Sequence, residues 1–181
     1  MTDGVVLDAN VINAWYRQYL VQNGDLFQLV RLLCETVGLA ADAQGKMRHE
    51  WEQQGDYLSI RDWIDDEMKV GHIRLVRCRP LDNHAKHLHI KLGLDRHSPD
   101  AVYVWCSYAT RLRHILSWDI DLYDPKAKGD GAQRQLLMKE RRGSVCRYLE
   151  RKLAIRVCTG DQCRRLLARL SFVCFGDLES V

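Results

Sequence analysis

Two short apolar runs in this sequence end on an aspartate: VVLD at Asp8 and ILSWD at Asp119. An ionised carboxylate against an apolar core is costly unless hydrogen bonds or a cation compensate. In parallel α/β sheets, ligands sit beyond the carboxyl ends of the strands, where the strand order reverses. If the two runs are neighbouring central strands, Asp8 and Asp119 converge, and two anions held that close call for a divalent cation. Ligands that are all oxygen suit Mg²⁺ or Mn²⁺ rather than zinc. A third carboxylate stands in HSPDAVYVWCSYATRL. There Ser98 can cap, Pro99 fits the first helical position and Asp100 falls in the first turn, where the helix dipole favours an anion. A good helix start is by itself a sufficient reason for Asp100. The residues that follow are apolar almost all round, so this helix is expected inside the protein, with its first turn opening onto something that tolerates charge.

The elements that must position these carboxylates follow from apolar periodicity. Strands are expected at residues 4–8, 37–41, 72–77, 113–117 and 153–157. Helices are expected at 11–22, 25–35, 43–54, 59–70, 81–92, 98–112, 131–152 and 160–169. The alternation argues for an α/β fold around a largely parallel sheet with helices on both faces, and the nearly continuous apolar strands suit a sheet covered on both sides. A chain of 181 residues, 46% hydrophobic, can build one core and is expected to form a single domain. The segment DPKAKGDGAQ at 124–133 reads as a loop that introduces a basic helical insertion over about 124–152. No basic leader precedes an apolar stretch, and no run approaches the ~18 apolar residues that span a bilayer. The expectation is a cytoplasmic protein with no membrane contact. Seven cysteines without a C-x-x-C pair read as reduced thiols rather than a zinc site or a disulfide framework.

Charge is unevenly spread. Residues 1–125 hold 14 Lys/Arg against 18 Asp/Glu, a balance of −4, whereas residues 126–169 hold 13 against 4, a balance of +9. Carboxylates in the body with cations beside them fit an enzyme that handles a polyanion, although a solvated basic helix has the same composition.

Several motifs together resemble the PIN-domain nucleases. VVLDANVIN is similar to that family's opening strand, with an apolar run, Asp, a small residue and Asn. HSPDAVYVWCSYA resembles its Asp at the start of a buried helix, ILSWDIDLY resembles the strand closed by a hydroxyl residue and Asp, and LAIRVCTGDQCRRLLARL resembles its last strand and helix. The resemblance runs from about residue 4 to 170. It implies a three-layer α/β/α fold with a mostly parallel five-stranded sheet ordered 3-2-1-4-5, and a Mg²⁺- or Mn²⁺-dependent endoribonuclease. It also implies an acidic cluster of Asp8, Glu50, Asp100 and Asp119. In that reading Asp8, Asp100 and Asp119 hold the metal, with Asp121 as a further ligand. Glu50 orients or deprotonates the attacking water, or helps to hold a second metal. KMRHEWEQQ also offers Glu52, but positions 50 and 52 face about 200° apart on a helix, so only one can point at the site. Asn10 and Ser117 are expected to orient Asp8 and Asp119 by hydrogen bonding, Ser117 with a phosphate contact as its alternative.

The sequence departs from the family at Trp118, where a small or polar residue is more usual; it is either a stacking surface for a base or a large apolar residue filling a sheet end. The basic helix carries Arg134, Lys139, Arg141 and Arg142, expected to contact substrate phosphates. Its apolar side (Leu136, Leu137, Val145, Tyr148 and Leu149) offers the alternative of a protein partner. An RNA substrate, an antitoxin or other protein partner, and a homodimer are all compatible with this pattern, as are toxin, RNA-processing and phage-defence roles. Two other functions compete: an inactive PIN-like scaffold or nucleic-acid-binding protein, and a phosphohydrolase of the haloacid-dehalogenase type. The latter wants an acid two residues after the first Asp, where this sequence has Asn10. His84, His87 and His89 read as helix surface, His97 as a loop residue, and IRDWIDDEMK (60–69) as a solvated acidic face.

Overall fold

The opening apolar run is buried throughout: Val5, Val6 and Leu7 expose nothing to solvent. In the computed structural model, which describes residues 3–127, 129–165, 167 and 168, this run forms β1 (Val6–Leu7) and turns at Asp8 into α1 (Ala9–Tyr19). Then come α2 (Asp25–Thr36), β2 (Leu39–Asp42), α3 (Lys46–Glu52), α4 (Tyr57–Lys69) and β3 (Ile73–Val76). Helix α5 (Asp82–His87) runs on into a π-helical turn at Leu88–Leu92, and α6 (Pro99–Tyr108) leads to β4 (His114–Leu116) and a 3₁₀ turn at Ile120–Leu122. Helix α7 (Gly131–Glu140), α8 (Ser144–Tyr148) with a π-helical turn at Leu149–Leu153, and β5 (Arg156–Cys158) complete the order. Residues 160–165, 167 and 168 are helical; 166 and 169, also within the expected closing helix, lie outside the described residues.

The chain is α/β and its strand pairs are all parallel, but the strands do not make one five-stranded sheet. They form a three-stranded sheet, β1-β4-β5, and a two-stranded sheet, β2-β3. Among the described residues, one parallel bridge, Val5 to Leu39, joins the two. Its hydrogen bonds run from Val5 N–H to the Gly38 carbonyl and from Ala40 N–H to the Val5 carbonyl, each 3.0 Å. In that register the next rung would use the Leu7 carbonyl. The Trp51 indole N–H takes that carbonyl instead, at 3.0 Å. Trp51 is fully buried, and its indole N–H satisfies the carbonyl that a further rung between β1 and β2 would have used.

Helix α6 packs against β1, β2, β4 and α3. Tyr103, Val104, Trp105 and Cys106 are all buried, which meets the expectation of an internal helix. Ser98 takes the N-cap position, but its hydroxyl donates to the Asp95 carbonyl at 2.8 Å rather than capping.

The basic helix expected over 131–152 is two helices. The chain leaves α7 through Arg141 in the left-handed region (φ 52°) and re-enters at Gly143. A Cβ at Gly143 would stand 2.0 Å from the Tyr123 carbonyl oxygen, so only glycine permits that approach. Helix α8 is part of the core, burying Val145 and Cys146, with Leu149 and Leu153 following. Helix α7 buries no residue and leaves Leu136 exposed. Among the described residues, the cysteines are all free thiols, and no helix is long and apolar enough to cross a membrane.

Candidate metal centre

Asp8, Asp100 and Asp119 come together at the carboxyl ends of β1 and β4 and the first turn of α6, each offering a carboxylate oxygen within 4.8 Å of the others. The pairing of β1 with β4 brings two of them there, with Val6 opposite Ile115 and Leu7 opposite Leu116. Asp8 N–H donates to the Leu116 carbonyl at 3.0 Å, so the backbone just before each aspartate is locked. Asp100 enters from α6, which packs on both strands.

A net of hydrogen bonds orients the cluster. Asn10 Nδ2 donates to Asp8 Oδ2 at 2.9 Å, and the Ser117 hydroxyl donates to the same oxygen. Ser117 Oγ also accepts from the Asp119 N–H at 2.8 Å, and Asn10 Oδ1 accepts from the Trp118 N–H at 3.3 Å. Asn10 and Ser117 thus tie β1 to the turn after β4. Asn10 meets the Asp8 carboxylate expected of it, whereas Ser117, expected to orient Asp119, holds the Asp8 carboxylate and meets Asp119 only through its backbone N–H. Both donors to Asp8 serve Oδ2, which leaves Oδ1 without a donor among the described residues.

Burial raises the Asp8 carboxyl to about 7, with the Asp100, Asp119 and Glu50 charges adding to the rise and the Ser117 hydrogen bond opposing it. Asp100 is raised to about 6, first by burial and then by Asp119. Glu50 is also raised, chiefly by burial, with the Tyr103 hydrogen bond opposing. Among the described residues, no Lys, Arg or His forms an ion pair with Asp8, Glu50, Asp100 or Asp119. Carboxylates crowded together, partly buried and without a counterion are the condition a cation relieves. The donor set fits a hard divalent ion: three carboxylates, one with a free oxygen, and no sulfur or imidazole.

The choice between the two glutamates of α3 is decided by their partners. Glu52 is buried and turned away, accepting from Arg48 Nε at 2.8 Å, and Arg48 also reaches Asp65 at 2.8 Å. Glu50 faces the cluster and accepts from the Tyr103 hydroxyl. Asp121 lies outside the group of three; its N–H donates to Asp119 Oδ1 at 2.9 Å and opens the 3₁₀ turn. Its carboxyl is raised by burial and by Asp119, while Arg134 lowers it, which places the Arg134 charge on this side of the molecule.

The basic residues divide. Arg141 is engaged by Glu150, its Nη2 lying 3.0 and 3.2 Å from the two carboxylate oxygens, so its guanidinium serves the α7–α8 junction. Arg142 is largely exposed and reaches Glu140 at 2.8 Å. Arg134 and Lys139 have no carboxylate within ion-pair distance among the described residues. The histidines of α5 and of the π-helical turn after it form no metal-type group among the described residues. His84 meets the Tyr148 hydroxyl at 2.8 Å, His87 stacks on the Tyr148 ring at 4.4 Å, and His89 lies 3.3 Å from the Leu94 carbonyl. His97 is exposed, with its ring accepting from Arg96 Nε at 2.9 Å.

Tyr103 is a member of the site that the sequence reading did not single out. Its hydroxyl accepts the Ala9 N–H at 3.2 Å and donates to Glu50, so it links the start of α1 to the glutamate. The signal was present: an aromatic hydroxyl three residues after Asp100, on the same face of a buried helix. The buried Asp42, by contrast, is explained locally, accepting from Lys46 N–H at 3.1 Å and Met47 N–H at 2.7 Å at the start of α3. Compared with known proteins, the chain matches no family model, no curated protein and no solved structure.

Proposed function

We propose that this protein is a divalent-metal-dependent endoribonuclease of the PIN-like kind. The observation that carries the reading is the convergence of Asp8, Asp100 and Asp119 within 4.8 Å, with no Lys, Arg or His at ion-pair distance from them among the described residues. The three aspartates are the groups that would hold Mg²⁺ or Mn²⁺. When bound, such an ion offsets charge building on phosphoryl oxygens and lowers the pKa of water. Further support comes from strand adjacency: β1-β4-β5 form one sheet and β2-β3 another, and the Val5–Leu39 bridge sets β2 beside β1, adjacencies compatible with the order that the resemblance implies although the five strands do not make one sheet.

In this mechanism Glu50 accepts the proton of the attacking water. Its raised carboxyl makes it a stronger base than an ordinary glutamate. Tyr103 is the positioning residue, holding Glu50 from one side while the Ala9 N–H fixes the phenol from the other. Asn10 and Ser117 hold Asp8 Oδ2 so that Oδ1 remains for the ion. Arg134, whose charge acts on Asp121 beside the cluster, is the cation assigned to a flanking phosphate.

The direct test is cleavage of single-stranded or structured RNA by the purified protein with Mn²⁺ or Mg²⁺. Cutting is expected with either ion and none in excess chelator; undiminished activity in chelator would remove the metal from the mechanism. Asn10→Ala probes the orienting role separately. It should weaken Mn²⁺ binding by about 10- to 100-fold, as loss of an outer-shell partner does, measured by titration calorimetry. Unchanged affinity would show that Asp8 needs no such support.

A further inference from the structure

Trp118 lies between two residues of the acidic site, with a backbone that cannot drift: its N–H is held by Asn10 Oδ1, and the next N–H is held by Ser117 Oγ. The side chain is only partly buried and lines a groove of about 490 Å³. One wall is α7, through Gln135, Met138 and Lys139; the other is the segment after β5, through Asp161, Gln162 and Arg165. The walls are tied together, since Gln162 Nε2 donates to the Lys139 carbonyl at 2.8 Å. Beneath the ring is Gly160, where an added Cβ would lie 3.6 Å from Trp118 Cζ2. At that distance a methyl group would make only ordinary contact, so Gly160 borders the indole without being required by it, and the rest of the ring faces the groove. Unlike Trp51, whose indole N–H is taken by Leu7, Trp118 has no partner for its ring N–H among the described residues.

Lys139 and Arg165 carry charges that no carboxylate neutralises within ion-pair distance among the described residues. The one acid of the groove, Asp161, is exposed and lies 3.9 Å from Arg164. An aromatic face flanked by unpaired cations is the composition of a single-strand nucleic-acid track, where bases stack and phosphates meet Lys and Arg. The Gln135 amide adds a donor and an acceptor for a base edge, while the Gln162 amide is committed to the Lys139 carbonyl and the Thr159 N–H. A volume near the lower part of the range for ligand sites fits one base rather than a duplex.

We propose that this groove is a base-stacking subsite in which Trp118 holds one unpaired base of the RNA next to the acidic cluster, with Lys139 and Arg165 on the flanking phosphates. The proposal rests on the nuclease reading for the identity of the strand, and it makes α7 a substrate wall rather than a dimer or partner surface. Purines, with the larger π-face, should be held more tightly than pyrimidines.

The test is binding, kept apart from cleavage: fluorescence anisotropy of a labelled single-stranded oligoribonucleotide in excess chelator, at low salt. Trp118→Ala should weaken binding roughly 5- to 150-fold, the range for losing one stacked base, and Trp118→Phe should restore most of it. Trp118→Leu keeps apolar bulk without a π-system and must also bind weakly; circular dichroism verifies folding for each variant. Lys139→Glu with Arg165→Glu should lower affinity and flatten its salt dependence. Full affinity in Trp118→Leu, or no binding by the wild type, overturns the subsite. If the wild type cuts RNA with Mn²⁺ while Trp118→Leu binds normally, the subsite fails and the nuclease reading stands. If binding depends on Trp118 but nothing is cut, the subsite stands and the nuclease reading fails.

Discussion

Asp119→Asn is expected to reduce Mn²⁺-dependent RNA cleavage by at least about 1000-fold, since the bound ion supplies several kcal/mol of stabilisation and each 1.4 kcal/mol is a factor of ten. Asp8→Asn should do the same. Asparagine keeps the size and one acceptor oxygen of the carboxylate, so the fold should survive, and the loss reports charge rather than packing. The α3 glutamates provide an internal control. Glu50→Gln removes the group placed to take the proton and should cost about 10²- to 10⁴-fold. Glu52→Gln alters a residue that pairs with Arg48 instead of facing the cluster, and should leave kcat within about threefold, the cost of disturbing a buried pair falling on stability rather than on the chemistry. Equal losses in the two glutamine variants would place Glu50 outside the chemistry. Robust cutting by Asp119→Asn would dissolve the three-aspartate site altogether. Initial rates on a labelled oligoribonucleotide, with matched circular dichroism spectra, decide all four variants.

The acidic cluster was legible because its causes are local. An apolar run that ends in Asp, and a Ser-Pro-Asp helix start ahead of an apolar helix, each constrain a few neighbouring residues, and strand pairing then brings the ends together. Strand and helix positions follow from the same local periodicity, to within a few residues. What could not be read depends on partners distant in sequence. Nothing near Leu7 announces that its carbonyl belongs to the Trp51 indole, so the break between the two sheets was invisible. The division of the basic helix depends on the Tyr123 carbonyl pressing on Gly143, and the use of Arg141 depends on Glu150. Helical geometry shows that Glu50 and Glu52 cannot both face the site. Only the Arg48–Asp65 pairing, an interaction between α3 and α4, says which one turns away. Tyr103 is intermediate: its spacing from Asp100 was visible, but its role needed the position of α3.

Metal-free protein is expected to lose stability as pH rises from about 4 to about 7, and divalent ions should return it. Asp8 and Asp100 titrate near 3.8 when unfolded but at about 7 and about 6 in the fold. Between these limits the folded state binds more protons than the unfolded chain. The contribution is therefore fully present below about pH 4 and declines as pH climbs through the folded values. Each pH unit of displacement is worth about 1.4 kcal/mol, so the two groups together withdraw several kcal/mol by pH 8. Mg²⁺ or Mn²⁺ competes with those protons and binds only the ionised cluster. At a hundredfold excess over its dissociation constant it adds about 2.7 kcal/mol, a rise in Tm of roughly 5–10 °C for a chain of this size. That rise should appear at pH 8 and largely vanish at pH 5, where protons already occupy the site. Asp8→Asn removes one of the repelling charges, so without metal it should melt above the wild type at pH 8 and respond little to added Mn²⁺. Thermal melts at the two pH values, with chelator and with Mn²⁺, separate the cases. A metal-induced rise of equal size at pH 5 and pH 8, or one that Asp8→Asn retains, would mean that the ion acts elsewhere and that the buried carboxylates are held by the fold alone.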